Sequence, residues 1–231
     1  MEPEAIRIVT WNIHGAVGAD GQCSPERIAC IVNEMQPDIL ALQEVDGRAH
    51  LGRRPAAFET FAALLGRHIV EARLFGEPQR EHGNLLWSRW PIARRHVHLL
   101  PGGLEQRGLI EAEFHRPDGH LRVFATHLGL SPITRYRQAK AIARHVGASE
   151  GPAIVVGDFN EWVQRGTVHR ALAPILPSIL QPATWPAKKP FVSLDRIYAS
   201  SDIELEFVAP PASAGTASDH LPIIADMRLR R

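Results

Sequence analysis

Residues 69–127 read IVEARLFGEPQREHGNLLWSRWPIARRHVHLLPGGLEQRGLIEAEFHRPDGHLRVFATH. Five strand-like runs follow one another here, at 69–75, 84–88, 93–100, 109–115 and 121–127, with no helical spacing between them. Asp118-Gly119, between the last two runs, is a strong hairpin signal. A purely parallel, doubly wound sheet needs a helix after each strand, so this stretch excludes it. Outside it, helices do alternate with strands. Residues 6–13 read as a buried strand. Ser24 offers an N-cap with Pro25 behind it, Ile28, Ile31, Val32 and Met35 lie on one helical face, and Pro37 stops the helix. Residues 38–45 (DILALQEV) form a second buried strand. Helical patterns follow at 56–65, 131–147 and 166–172, and further strands at 153–159, 194–199, 203–208 and 221–229. Runs this apolar need cover on both faces. The expected fold is therefore a four-layered α/β sandwich: two packed mixed β-sheets flanked by helices.

Composition narrows the class. The chain has 231 residues, 45% hydrophobic and 22% charged, which excludes a disordered or fibrous protein. Such a mass should expose about 10,400 Å² when folded, against about 37,000 Å² extended. That is enough for one large core, and a single domain over 1–231 is expected. No apolar run reaches the length of a transmembrane helix. The acidic start MEPEAIRIVTWN enters a strand directly and leaves no room for a signal peptide, so a cytoplasmic protein is expected. Cys23 and Cys30 do not make a disulfide framework. Lys+Arg is 26 and Asp+Glu 25, a net charge of +1. With no basic tail or long basic stripe, nucleic acid is permitted as a substrate and not indicated by charge.

The polar residues that stand out sit at the ends of apolar strands: Asn12, Glu44, His127, Asp158 with Asn160, Asp195, and Asp219-His220. A buried carboxylate costs several kcal/mol unless it is paired or bound to a metal. Carboxylates, Asn and His converging from several strand ends would make an oxygen-rich pocket suited to Mg²⁺ or Mn²⁺, with no cysteine ligand to favour zinc.

Seven segments, TWNIHG, LQEVD, GNLLWSRWPI, ATHLGL, GDFNEW, LDRIY and SDHLPI, occur in order along nearly the whole chain. Together they resemble the endonuclease/exonuclease/phosphatase superfamily, which includes DNase I, AP endonucleases, inositol-polyphosphate 5-phosphatases and neutral sphingomyelinases. The likeness is greatest to small uncharacterised bacterial members. Some of these are encoded beside cardiolipin synthases, which points toward phospholipid. The resemblance implies a DNase I-like fold and hydrolysis of a phosphate ester by in-line attack of water. It implies that Glu44 and Asp219 hold the metal, that Asn12 holds the metal or a phosphate oxygen, and that Asp158 orients or deprotonates the attacking water. Asn160 would position the phosphate, Asp195 would orient His220, and His127 would contact the phosphate as donor or acid.

Other residues read two ways. Arg107 either sets a guanidinium on the phosphate or makes a surface salt bridge. Trp162, just after GDFNE, can rim the site, whereas Trp11, Trp87 and Trp90 read as packing residues. Arg196 reads as structural or as a rim residue, and Glu81 as a further carboxylate. The loop 47–57, with Arg48, Arg53 and Arg54, is either a funnel for substrate phosphate or a solvated loop. AP endonucleases carry an acid where this chain has His14, and a lysine near the glutamate motif where it has Val45-Asp46, so abasic-site repair is not expected. The expected protein is a metal-dependent phosphodiesterase, monomeric, acting on a small or lipid-borne phosphate ester with peripheral membrane contact. A DNA or RNA nuclease is the first alternative, and a silent binding domain the second.

Overall fold

The central strands are apolar on both faces because each sheet is covered twice, once by the other sheet and once by helices. The computed structural model describes residues 5–116, 119–148 and 150–230, with the side chains at 115, 116 and 119 outside that description. In chain order the first half holds β1 (Ile6–Asn12), α1 (Pro25–Met35), β2 (Ile39–Asp46), α2 (Ala57–Leu65), β3 (Ile69–Phe75), β4 (His82–Ser88), β5 (Arg94–Leu100) and β6 (Arg107–Arg116). The second half holds β7 (Gly119–His127), α3 (Pro132–Gly147), β8 (Ala153–Asp158), α4 (Thr167–Leu172), β9 (Ser178–Leu180), β10 (Asp195–Ala199), β11 (Ile203–Val208), α5 (Ala214–Ala217) and β12 (Ile223–Leu229).

The strands form two six-stranded sheets, ordered β11-β12-β1-β2-β4-β3 and β5-β6-β7-β8-β10-β9. Each contains one parallel pair, β1 with β2 and β7 with β8. Each of those pairs is joined by a crossover helix, α1 or α3, as parallel neighbours require. The remaining ladders are antiparallel, so the sheets are mixed and the DNase I-like four-layered sandwich is the fold. Ile8, Ile39, Ala41 and Leu86 of the first sheet meet Ile110, Val123, Ile154 and Ile197 of the second in the central core. The alternate residues Val9, Leu40 and Leu42 pack outward on Ile28 and Val32 of α1 and on Phe58 and Phe61 of α2. On the far side, Leu109, Phe124 and Val155 pack on Ala139 and Ile142 of α3 and on Val168 and Leu172 of α4. The total exposed surface, 10689 Å², is what one well-buried chain of this mass should show. Among the described residues no helix is long and apolar enough to cross a membrane.

Local signals explain most boundaries. Ser24 Oγ accepts the Arg27 N–H at 3.2 Å at the start of α1, a cap worth about 1 kcal/mol. Gln36 adopts a left-handed conformation after Met35 and ends the helix before Pro37. The expected hairpin is present, with His115 opposite His120 in the β6–β7 ladder, although Asp118 lies outside the described residues. Two strands begin earlier than their apolar patterns, β4 at His82 and β6 at Arg107, because both residues are buried there by the site described below. β9 carries only three half-buried residues and no readable alternation, and was not expected.

Gly157 precedes Asp158 with φ +145°, and a Cβ there would stand 1.9 Å from the Thr126 carbonyl oxygen on the neighbouring strand. Gly157→Ala should therefore force β7 from β8 and cost at least about 2 kcal/mol. An unchanged denaturant midpoint would show that the two strands can spread freely.

Candidate active site

The strand directions bring the polar ends together. The carboxyl ends of β1, β2, β7 and β8 and the amino ends of their antiparallel neighbours β4, β6, β10 and β12 lie on the same side of the sandwich. In the second sheet His127 is opposite Asp158, which is opposite Asp195. From the first sheet, the Asn12 side-chain amide donates to Glu44 Oε1 at 3.0 Å and across the cleft to Asp158 Oδ2 at 2.9 Å. Asn12 Oδ1 accepts the His14 N–H at 3.0 Å, which fixes the amide's orientation. His220 Nδ1 lies 2.8 Å from Asp195 Oδ2, and Thr184 donates its hydroxyl to the same oxygen at 2.5 Å.

Three site residues that are not glycine have left-handed backbones: His14 (φ 49°), Glu44 (φ 57°) and Asn160 (φ 51°). Such strain persists where surrounding contacts over-determine it, and it gathers at functional sites. Glu44 occupies a β-bulge between Gln43 and Val45. Leu42 and Val45 both pack in the outer core, so the extra residue turns Glu44 toward the cleft without disturbing either. Asn160 donates its N–H to Asp158 Oδ1 at 2.8 Å and its amide to the Leu128 carbonyl at 2.9 Å. The chain beyond it is clamped by Arg196. Fully buried, this guanidinium donates to the carbonyls of Glu161, Val163, Gln164 and Ser193 at 2.6, 3.2, 3.2 and 3.1 Å. Arg196 is thus structural and not a rim residue.

Proton positions follow from donor inventories. A guanidinium has no lone pair, so at 3.1 Å His127 Nδ1 must accept from Arg107 Nη1. His127 Nε2 lies 3.0 Å from the Asn160 side-chain amide nitrogen and 3.5 Å from Asp158 Oδ2. Burial, aided by the Arg107 charge, holds the His127 pKa well below the usual histidine value. Burial lowers His220 too, but the Asp195 charge and hydrogen bond outweigh it and lift that ring to about 10. Asp158 is raised above the ordinary carboxylate range by burial and by the Asp195 charge. Glu44 goes the other way: burial is overcome chiefly by the hydrogen bonds of His14 and of the Asn12 amide, and its pKa falls well below that range.

Asn12, Glu44, His127, Asp158, Asn160, Asp195 and His220 are thus brought into one cluster. Asp219 is exposed and joins through His14, whose Nδ1 stands 3.6 Å from Asp219 Oδ1 and 3.7 Å from Glu44 Oε2. Arg107 is buried between His127 and Glu105, not a surface bridge. Arg53 reaches the cluster's edge, 3.4 Å from His14 Nε2. Its loop neighbours do not reach it, because Arg48 is paired with Asp46 and Arg54 with Glu26. Glu81 is paired with Arg73. Trp162 is 58% exposed and meets Trp185 edge-on at 5.4 Å. Trp11 is fully buried and donates its indole N–H to the His220 carbonyl at 2.9 Å.

Thr184, Trp185 and His82 were not singled out from the sequence. His82 lies opposite Asp46 in the ladder, buried, its pKa lowered chiefly by burial and within electrostatic reach of Glu44 and Arg107. Its place directly before GNLLW was the available signal, whereas Thr184 stands in a Pro/Ala loop with none.

Ligand-type atoms of Asp158, Asp195 and His220 lie within 4.8 Å of one another. Asp195 Oδ1 is buried without a hydrogen-bond partner among the described residues, an arrangement that a cation or its bound water would complete. Glu44 and Asp219 add carboxylates nearby and no cysteine is present in the cluster. The donor set fits a hard divalent cation.

A cleft of this make-up, at the common end of two packed six-stranded sheets, defines a DNase I-like protein. The chain belongs to the Endonuclease/Exonuclease/phosphatase family, whose model matches residues 9–220. It is 28% identical to "Uncharacterized protein YbhP" of Escherichia coli (strain K12) over 97% of both chains. Among solved structures it is similar to an endonuclease/exonuclease/phosphatase from Beutenbergia cavernae, at 25% identity and TM-score 0.76, covering 99% of this chain and 72% of that one. The mannosyl-6-phosphatase Bt3783 of Bacteroides thetaiotaomicron shares the fold at 17% identity and TM-score 0.73, covering 97% and 100% of the two chains.

Long-range ¹H–¹⁵N spectra of metal-free protein should show His127 neutral as pH falls through about 6.5. His220 should stay charged through neutral pH, since its proton leaves only near its folded pKa of about 10. An Nδ1–H tautomer at His127 would overturn the Arg107 assignment.

Proposed function

We propose that the chain is a divalent-metal-dependent phosphodiesterase that hydrolyses a lipid-borne phosphodiester by in-line attack of an activated water. The observation that carries this reading is the Asn12 amide joining Glu44 to Asp158 across the cleft, beside two histidines held in opposite charge states. In this reading Glu44, Asn12 and Asp219 hold Mg²⁺ or Mn²⁺, which when bound supplies positive charge against the phosphate oxygens. Family membership supports that dependence.

The chain's own groups account for the remaining demands. Asp158, raised by burial and fixed by Asn12 and by the Asn160 N–H, accepts a proton from the attacking water. Asn160 positions a phosphate oxygen. His127, held at Nδ1 by Arg107, sets its Nε2 and the neighbouring Asn160 amide beside the phosphate. Asp195 holds His220 by Nδ1, leaving a charged Nε2–H to stabilise developing negative charge and to protonate the leaving oxygen. Thr184 shares the load on Asp195 Oδ2.

Exposed apolar side chains favour an amphiphilic substrate. Leu104, Leu130, Trp162 and Phe191 are all exposed on loops within four residues of Arg107, His127, Asn160 and Asp195. Lys188 and Lys189 are exposed beside Phe191. Apolar side chains next to lysines suit an anionic phospholipid surface.

Activity should vanish in excess EDTA, and Asp158→Asn or His220→Ala should each lower turnover at least about 10²-fold. The assay compares bis-p-nitrophenyl phosphate, cardiolipin vesicles, plasmid and single-stranded oligonucleotide, with Asp158→Asn as the blank. Folded variants that keep the wild-type rate would remove the assigned roles, and rapid plasmid or oligonucleotide cleavage would make the protein a nuclease. Phe191→Ser should depress turnover of vesicles several-fold more than turnover of the soluble diester, and equal effects would sink the lipid reading.

A further inference from the structure

The helix-covered face of the second sheet carries a separate cluster. Edge strand β5 contributes His98, β6 contributes Glu111 and the last turn of α3 contributes His145. His98 Nε2 and Glu111 Oε2 are 2.7 Å apart, and ligand-type atoms of all three residues lie within 4.8 Å of one another. The rings of His96, His98 and His145 form a stack, with centroids 4.2 and 3.8 Å apart. None of these residues belongs to the cleft, which opens at the strand ends and not on the sheet face.

We propose that His98, Glu111 and His145 form a second metal site, selective for a late first-row divalent ion such as Zn²⁺. Two imidazoles and one carboxylate make a borderline-soft donor set that matches zinc and is poor for Mg²⁺, which demands oxygen ligands. Geometry permits it. Tetrahedral zinc with ligands at about 2.0–2.2 Å sets its donor atoms about 3.3–3.5 Å apart. The pair at 2.7 Å must open slightly and the widest separation, up to 4.8 Å, must close by about 1.4 Å. All three side chains are partly exposed, so rotamer adjustment suffices and solvent ions have access. The carboxylate that now receives the His98 N–H becomes a ligand when that proton leaves, while water or His96 completes the coordination. Zinc held here would clip the exposed edge strand to the end of α3.

The test measures binding of Zn²⁺ by calorimetry and the visible absorption of Co²⁺, using the full chain. The comparison is between wild type, the cleft variant Glu44→Gln/Asp158→Asn/Asp219→Asn, and the cleft variant with His98→Ala/His145→Gln added. The cleft variant should keep one zinc site and a tetrahedral cobalt spectrum. Adding the histidine substitutions should weaken that site at least about 100-fold and abolish the spectrum. Zinc should raise the melting temperature of the first two proteins and not the third. Equal zinc affinity in the cleft variant with and without the histidine substitutions would overturn the proposal. So would a cleft variant that binds no zinc. His145→Gln alone, at a partly exposed helix end, repeats the test should the double substitution disturb folding.

Discussion

One hydrogen bond ties the two halves of the sandwich at the point where chemistry is possible. The Asn12 amide spends both protons on carboxylates, one from its own sheet and one from the facing sheet. Its own orientation is set by the His14 N–H, and the Asn12 backbone carbonyl accepts the Ser218 hydroxyl at 2.7 Å. Trp11 beside it donates to the His220 backbone. The amide is neutral, so it can hold two carboxylates close without becoming a counter-ion that would cancel their charge. That leaves Glu44 and Asp158 tethered yet still electrostatically demanding.

From that tether the site separates like residues by environment. Of two carboxylates on one amide, Glu44 is held ionised by His14 and the amide itself, while Asp158 is pushed up by burial and by the Asp195 charge. Of two histidines, His127 is kept neutral by burial and an arginine, and His220 charged by an aspartate. Such splitting lets identical side chains act as acid and base at one pH. It requires burial, and the covered sheets provide it.

The strands were legible because apolar runs with both faces covered leave a dense pattern, and the helices because Ser24-Pro25 and Ser131-Pro132 mark their starts. The strand-end rule also located most of the cluster, since a carboxylate closing an apolar run has few places to go. What stayed hidden depended on tertiary context. Thr184 matters only because β10 carries Asp195 to it. The arginine loop looked uniform, but Asp46 claims Arg48 and Glu26 claims Arg54, while Arg53, 3.6 Å from Asp46 Oδ2, also reaches His14 at the cleft edge. Arg196 gave no hint that it would be fully buried among carbonyls, because that role depends on backbone atoms whose identity no side chain records.

In the first sheet β12 lies between β11 and β1, so strands from opposite ends of the sequence are neighbours. Ile6 pairs with Met227, and the Trp11 indole bonds to the His220 carbonyl. During synthesis β1 emerges first and must wait, without its antiparallel partner, until residues 223–229 leave the ribosome. Closing so long a loop is slow, and an unpaired apolar edge invites association. A nascent chain therefore cannot assemble the cleft, since Asp195, Asp219 and His220 all arrive late. The cleft is withheld until residues 195–220 have been made, and a ribosome stalled before that point would release a fragment with β1 unpaired and the cleft incomplete.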